Sequence, residues 1–237
     1  MSKFNPHFLV ISLGNPGKHY ETLHSAGHFA LQALQKTITT QVGPQPPFTI
    51  AQRIPKTCLG SEGTKYTLLQ SSSFMNTSGR FVADAWNKTL QKYQRRIEAE
   101  PEEDAEPGSR FDHCLVVVHD DLEEEFGAVK TKSWIASHRG HNGIKSINNL
   151  LKLRKNPGSR WARISVGIDR PVSRKYEDVS NYVLSPLSEE QKEIIDTEVG
   201  SKVLACLDKL EADWRREYNW EVVKKNKESG QDPAPDE

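Results

Sequence analysis

Five polar side chains in this 237-residue sequence have the chemistry of a hydrolytic site, and they lie far apart along the chain. His24 stands in His24-Ser25-Ala26-Gly27 and Asp120 in Val118-His119-Asp120-Asp121-Leu122. Near neutral pH an imidazole can take a proton from water, and a carboxylate beside it fixes its tautomer and raises its basicity. The other three are asparagines: Asn15 in Gly14-Asn15-Pro16-Gly17, Asn76 in Phe74-Met75-Asn76, and Asn142 in Gly140-His141-Asn142-Gly143. Each offers a carbonyl acceptor and an amide donor without charge, which suits a neutral polar group such as an ester or amide. No Gly-x-Ser-x-Gly elbow accompanies the histidine, so the expected nucleophile is water.

Each piece also has a plainer reading. Gly14–Gly17 could be a sharp turn after a strand, and it lacks the glycine spacing of a phosphate loop. Ser25 could cap a helix with His24 a bystander, and Asp120 could cap a loop. His119, Asp120, Asp121, His138 and His141 raise a metal reading, but no HExxH or Cys/His framework is present. Neither metal nor cofactor is expected.

The elements that must hold these residues read as alternating strands and helices. Phe8–Leu13 is an apolar run stopped by the Gly14–Gly17 turn, and Cys114–Val118 is a second core strand with His119-Asp120-Asp121 at its end. Thr57–Leu59 with Tyr66–Gln70 reads as a strand pair, and Trp161–Ile168 as a further strand. Helices are expected over Ser25–Lys36, Asn76–Leu90, Ile144–Leu153 and Ser188–Tyr218, the last opened by a possible capping box at Ser188-Glu189-Glu190-Gln191. Residues 40–56 read as loop. The expectation is an α/β fold: a single catalytic domain over 1–222, built on a twisted mixed, largely parallel sheet flanked by helices on both faces. Sites in such sheets gather at the C-terminal ends of the strands, where Asn15 and Asp120 both fall. Residues 95–110, acidic and without aromatics, read as a disordered insertion, and 223–237 as a flexible polar tail.

Thirty-two basic and 32 acidic residues give no formal net charge, which argues against bulk nucleic-acid binding. The distribution is uneven. Between 130 and 176 lie Lys130, Lys132, Arg139, Lys145, Lys152, Arg154, Lys155, Arg160, Arg163, Arg170, Arg174 and Lys175 against the single acid Asp169. Such a cluster is a footprint for phosphates, though charge runs also simply solvate. Cys58, Cys114 and Cys206 are scattered and fit reduced thiols. No apolar run reaches membrane-spanning length and no secretory leader is apparent, so no membrane association is expected.

Taken in order, Leu13–Gly17 with Tyr20, His24–Gly27, Phe74–Gly79, Val118–Leu122, Gly140–Gly143 and Val166–Ile168 resemble the motifs of the bacterial-type peptidyl-tRNA hydrolases, over about residues 8–220. The resemblance implies hydrolysis of the ester between a peptide and the 3′-terminal ribose of tRNA, recycling tRNA from prematurely released chains. It implies His24 as general base, Asp120 as its orienting carboxylate, and Asn15, Asn76 and Asn142 as substrate contacts, with Tyr20 and Met75 shaping the pocket. It further implies a monomer that binds peptidyl-tRNA through Lys130, Lys132, Arg139, Lys145, Arg163 and Arg174, in the cytoplasm with a mitochondrion as the alternative. The segment between Gly17 and His24 is one residue shorter than the common bacterial pattern, and the stretch 133–139 is bulkier. The acidic insertion and tail point to a eukaryotic member, a fungus being one candidate source. The competing reading is a relative of the same fold that binds RNA and facilitates splicing without catalysis; retention of His24, Asp120 and the three asparagines argues against it.

Overall fold

Phe8, Leu9, Val10 and Ile11 are apolar at successive positions because their strand is covered on both faces. In the computed structural model, which describes residues 4–53, 56–99, 112–155 and 159–228, the strands are β1 (Pro6–Ser12), β2 (Thr49–Arg53), β3 (Lys56–Glu62), β4 (Tyr66–Gln70), β5 (Asp112–Asp121), β6 (Val129–Ser133) and β7 (Arg160–Gly167). The helices are α1 (Ala26–Gln41), α2 (Ser78–Ala99), α3 (Asn142–Leu150), α4 (Tyr176–Val183), α5 (Glu189–Ile194) and α6 (Gly200–Glu228).

The strands form one sheet in the order β2-β3-β4-β1-β5-β7-β6. β4, β1, β5 and β7 are parallel; β3 and the edge strand β6 run against them, and β2 pairs antiparallel with β3 at the other edge. Alternate residues divide between two cores. Phe8, Val10, Val116, Val118 and Ile164 meet Leu31 and Leu34 of α1 and Val203 and Leu207 of α6. Leu9, Ile11, Leu115 and Val117 meet Phe81 and Trp86 of α2 and Ile144 and Ile147 of α3 on the opposite face. The expected mixed sheet with two covered faces is the one observed.

Several boundaries differ from the expectation. β2 lies within the stretch read as loop, and β6 and α4 had no assignment. The long helix expected over 188–218 is α5, a π-helical turn at Ile195–Val199, and α6, with the Ser188–Gln191 capping box formed. α2 continues to Ala99, so residues 95–99 of the expected disordered insertion are helical. The rest of that insertion lies outside the described residues. α6 likewise carries residues 223–228 of the expected tail, and 229–237 lie outside the described residues.

Candidate active site

Because β4, β1 and β5 are parallel neighbours, their C-terminal ends share one edge of the sheet. Ser12 is in register with both Gln70 and Val118. Asn15 therefore emerges after β1 beside the Phe74–Asn76 turn that follows β4, and Asp120 stands at the end of β5. Residues distant in sequence meet because the strands carrying them pair.

His24 arrives separately, on a 3-10 turn (Leu23–Ser25) that leads into α1. The helix starts hard against the strand ends. A Cβ on Gly27 would stand 2.8 Å from the Leu13 carbonyl oxygen and 2.9 Å from that of Val118, so only glycine allows the approach. The residues before His24 are strapped from the other end of the domain: the Leu23 N–H donates to the Ser185 carbonyl (3.0 Å), the Leu187 N–H to the Glu21 carbonyl (2.9 Å), and Thr22 forms a β-bridge with Pro186. The loop that is short in sequence thus reaches its target. His24 Nδ1 lies 2.8 Å from Asp120 Oδ2.

Asp120 is 2 % exposed and carries two imidazoles, because His141 Nε2 lies 3.0 Å from its other oxygen. His141 caps α3: its Nδ1 accepts from the N–H groups of Gly143 (3.1 Å) and Ile144 (3.3 Å). With Nδ1 an acceptor, the proton of neutral His141 is on Nε2 and is donated to Asp120. Burial alone would raise the Asp120 pKa, but the two imidazoles outweigh it and hold the carboxylate well below its usual range. Burial would likewise lower the pKa of His24, and the Asp120 charge and hydrogen bond overcome it, so the value is raised. His119 is a neutral neighbour. Its Nδ1 donates to the Asp120 backbone carbonyl (2.7 Å), and burial, reinforced by the neighbouring His141 imidazole, takes its pKa down to about 3.

A cleft of about 840 Å³ opens over this edge, lined by Asn15, His24, Met75, Asn76, Asp120 and Asn142 among others. Asn15 is buried; its backbone N–H donates to Ser25 Oγ (3.0 Å) and its Oδ1 accepts from the Met75 N–H (2.9 Å). The oxygen being occupied, Nδ2 is the group left to a ligand. Ser25 serves Asn15 rather than capping α1, where it makes no side-chain cap bond. Asn76 and Asn142 are exposed on the cleft walls, and Met75 is buried beneath them. Tyr20 does not line the cleft. Its ring packs on His28 and Phe29, and its hydroxyl bonds Gln70 and Gln32, so it supports the wall from behind.

The expected RNA-contacting cations divide sharply. Arg163 is 3 % exposed and spends its guanidinium on the carbonyls of Ser133 and Ala136, so it anchors the loop before His141 instead of presenting charge to solvent. Lys130 pairs with Glu124, and Lys132 with Glu124 (2.8 Å) and Asp121 (3.3 Å). Arg170, also in the cleft, pairs with Glu123. Arg139 and Arg174 line the cleft, are exposed, and have no acidic partner within ion-pair distance among the described residues. Lys145 is exposed on α3 outside the cleft lining.

The metal grouping weighed from sequence does not assemble as such. Among the described residues, the set whose ligand atoms lie within 4.8 Å of one another is His24, Asp120 and His141. There both carboxylate oxygens already accept imidazole N–H groups, so protons satisfy the carboxylate. Sequence reasoning missed His141 as a partner of Asp120. The signal available was its place directly before Asn142-Gly143 at a helix start, the N-cap slot. It also missed the wall contributed by α4 through Tyr176, Val179 and Val183, where nothing in a polar stretch marks a cleft.

Comparison with known proteins gives a consistent result. The sequence model of the peptidyl-tRNA hydrolase family matches residues 9–229. A peptidyl-tRNA hydrolase of Citrifermentans bemidjiense is 34% identical over 200 residues, covering 81% of this chain and 87% of that protein. A probable peptidyl-tRNA hydrolase of Schizosaccharomyces pombe is 30% identical over 205 residues, covering 86% and 82%. A crystal structure of peptidyl-tRNA hydrolase from Acinetobacter baumannii shares the fold with a TM-score of 0.56 and 21% identity, over 90% of this chain and 98% of that one.

Proposed function

The chain belongs to the peptidyl-tRNA hydrolase family, and from that premise we propose that His24, Asp120 and the three asparagines carry its ester hydrolysis. The reading rests above all on the 2.8 Å contact of His24 Nδ1 with a buried, charged Asp120, which leaves Nε2 as the basic atom beside the cleft. Nε2 takes a proton from water as its oxygen attacks the ester carbonyl carbon. Asp120 keeps Nδ1 protonated and stabilises the imidazolium that forms. His141 holds the second carboxylate oxygen and so fixes the plane of the group. When the tetrahedral species collapses, the ester C–O bond breaks and the 3′-oxygen of the ribose receives the proton from His24.

The developing oxyanion needs a donor that is already in place, and Asn15 Nδ2 is the candidate, its amide oriented by the Met75 N–H. Asn76 holds the carbonyl region and the attacking water, Asn142 the peptide or the terminal adenosine, and Met75 forms the floor. A neutral donor assists charge build-up without retaining the carboxylate product. The RNA is held by Arg139 and Arg174 at the cleft, which have no acidic partner among the described residues. Lys130 and Lys132 can join by exchanging Glu124 for phosphate, and Lys145 extends the footprint along α3. The enzyme acts as a monomer and one catalytic domain over 1–222, in the cytoplasm or a mitochondrion. No helix among the described residues is long and apolar enough to cross a membrane. The non-catalytic RNA-binding alternative is not supported.

The test is release of labelled N-acetyl-aminoacyl groups from tRNA. His24→Ala should lower kcat by roughly 10²–10⁴ while tRNA binding persists. Turnover unchanged by the substitution would sink the assignment of the base.

A further inference from the structure

A buried histidine that this chemistry does not use lies against Gly14, the residue before Asn15. His28, in the first turn of α1, is 1 % exposed. Its Nδ1 lies 2.8 Å from Ser12 Oγ at the end of β1, and the ring also has a backbone hydrogen bond with Ser71. The Tyr20 ring stacks on it at 5.5 Å with an interplanar angle of 29°. Tyr20 is itself tied to Gln70 Oε1 (3.0 Å) and Gln32 Nε2 (2.8 Å), and Gln70 Nε2 donates to the His28 carbonyl (3.1 Å). The imidazole is therefore clamped by the ends of β1 and β4 and by the loop that precedes His24. It is also uncharged, since burial takes its pKa down to about 3.

Its remaining side is Gly14. A Cβ there would stand 2.3 Å from His28 Cδ2 and 2.5 Å from Nε2. Gly14 is not among the residues with positive φ, so space beside the ring, not backbone conformation, is what demands glycine. Gly14 is peptide-bonded to Asn15. Asn15 has no further freedom, because its N–H is on Ser25 and its Oδ1 on Met75. Any shift of Gly14 must therefore be transmitted to the Asn15 amide or break one of those bonds.

We propose that His28 is a positioning residue: its clamped ring sets the height of Gly14 and thereby aims the Asn15 amide at the ester. The inference rests on the role given to Asn15 above and assigns that role a support of its own. The ring does not touch substrate. It acts through the backbone, and a displacement of the order of an ångström at the reacting centre can lower turnover by up to about 10².

The experiment is a double-mutant cycle on Gly14→Ala and His28→Ala, with kcat and KM for N-acetyl-aminoacyl-tRNA expressed per folded molecule from a thermal melt in assay buffer. Gly14→Ala places a methyl against the ring, and His28→Ala leaves a void beside Gly14. Each should lower kcat by about tenfold with KM changed by less than about twofold. The double variant puts the methyl into the void and should recover kcat to within about threefold of wild type, far above the product of the single losses. A purely structural role would lower the melting temperature and leave kcat per folded molecule unmoved, and that result overturns the proposal. So does a double variant equal to the product of the singles. If Gly14→Ala fails to fold, the decision passes to His28→Ala against the double: recovery supports the lock and its absence rejects it. Asn15→Ala separates the two readings. Wild-type kcat in that variant removes the role of Asn15 itself and the aiming with it. A low kcat without coupling between positions 14 and 28 removes only the lock.

Discussion

His24 and Asp120 form a coupled pair whose pH behaviour can be stated in sign. The charge of Asp120 holds the His24 pKa above its ordinary value of 6.5, and the base works only when neutral. The acidic limb of kcat/KM should therefore have its midpoint above pH 6.5. Asp120→Asn removes the charge but not the burial, so the midpoint should fall while kcat drops more than binding weakens. A pH–rate profile of the two enzymes checks this; an acidic limb unmoved by the substitution would contradict the pairing. These residues were legible in sequence because type and order alone mark them: a histidine before a helix, a carboxylate ending a core strand, and three asparagines in glycine-bounded or aromatic-bounded turns. His141 was not, because its significance lies in the second oxygen of Asp120, and no spacing reveals that. Tyr20 and Arg163 misled for the complementary reason. A phenol and a guanidinium look like surface chemistry until burial turns them into supports.

At the level of elements, α3 carries both a cap and a catalytic support on one imidazole. His141→Asn retains a good N-cap but cannot reach Asp120 in the same way, whereas His141→Ala loses both functions. The asparagine variant should keep its stability and lose turnover. The alanine variant should lose turnover and about 1 kcal/mol of stability as well, read from urea unfolding. Equal stability in the two would deny the cap its role. Elements differ in how far their own residues specify them. β5 and β1 announced themselves because both faces are buried, so Cys114–Val118 and Phe8–Ile11 are apolar at every position. β6 (Val129–Ser133) has one apolar residue in five and exists through its pairing with β7, and β2 is an edge strand held by β3. α4 is a short helix on the cleft wall whose inward residues are spaced along an otherwise polar stretch. Local pattern cannot specify elements that neighbours impose.

For the molecule as a whole, a zero net charge conceals a division between cations already spent on acids and cleft cations, Arg139 and Arg174, with no acidic partner among the described residues. Arg139→Ala and Arg174→Ala should each weaken tRNA binding and reduce the log–log salt slope by about one. An unaltered slope removes the residue from the footprint. Stability should depend on acid through the buried neutral histidines. His28 and His119 each hold a pKa near 3, lowered by burial, where the unfolded chain has 6.5. The unfolded state therefore binds more protons between those limits, and stability is lost as pH falls through the window, by up to about 1.4 kcal/mol per pH unit for each histidine. His24 works in the opposite sense, its contribution present at low pH and lost as pH rises through its raised value. Unfolding free energies at pH 7, 5.5 and 4.5 should fall steadily; a flat series would mean that these rings are not held neutral. The strap that joins Glu21–Leu23 to Ser185–Leu187 has a consequence for synthesis. This enzyme is itself made as a peptide esterified to tRNA, and the residues that pin the approach to His24 lie far downstream of it, so they leave the ribosome long after it does. A tethered chain ending before Ser185 should be unable to cleave such esters, the bond holding it included, and competence should come only once the closing residues emerge.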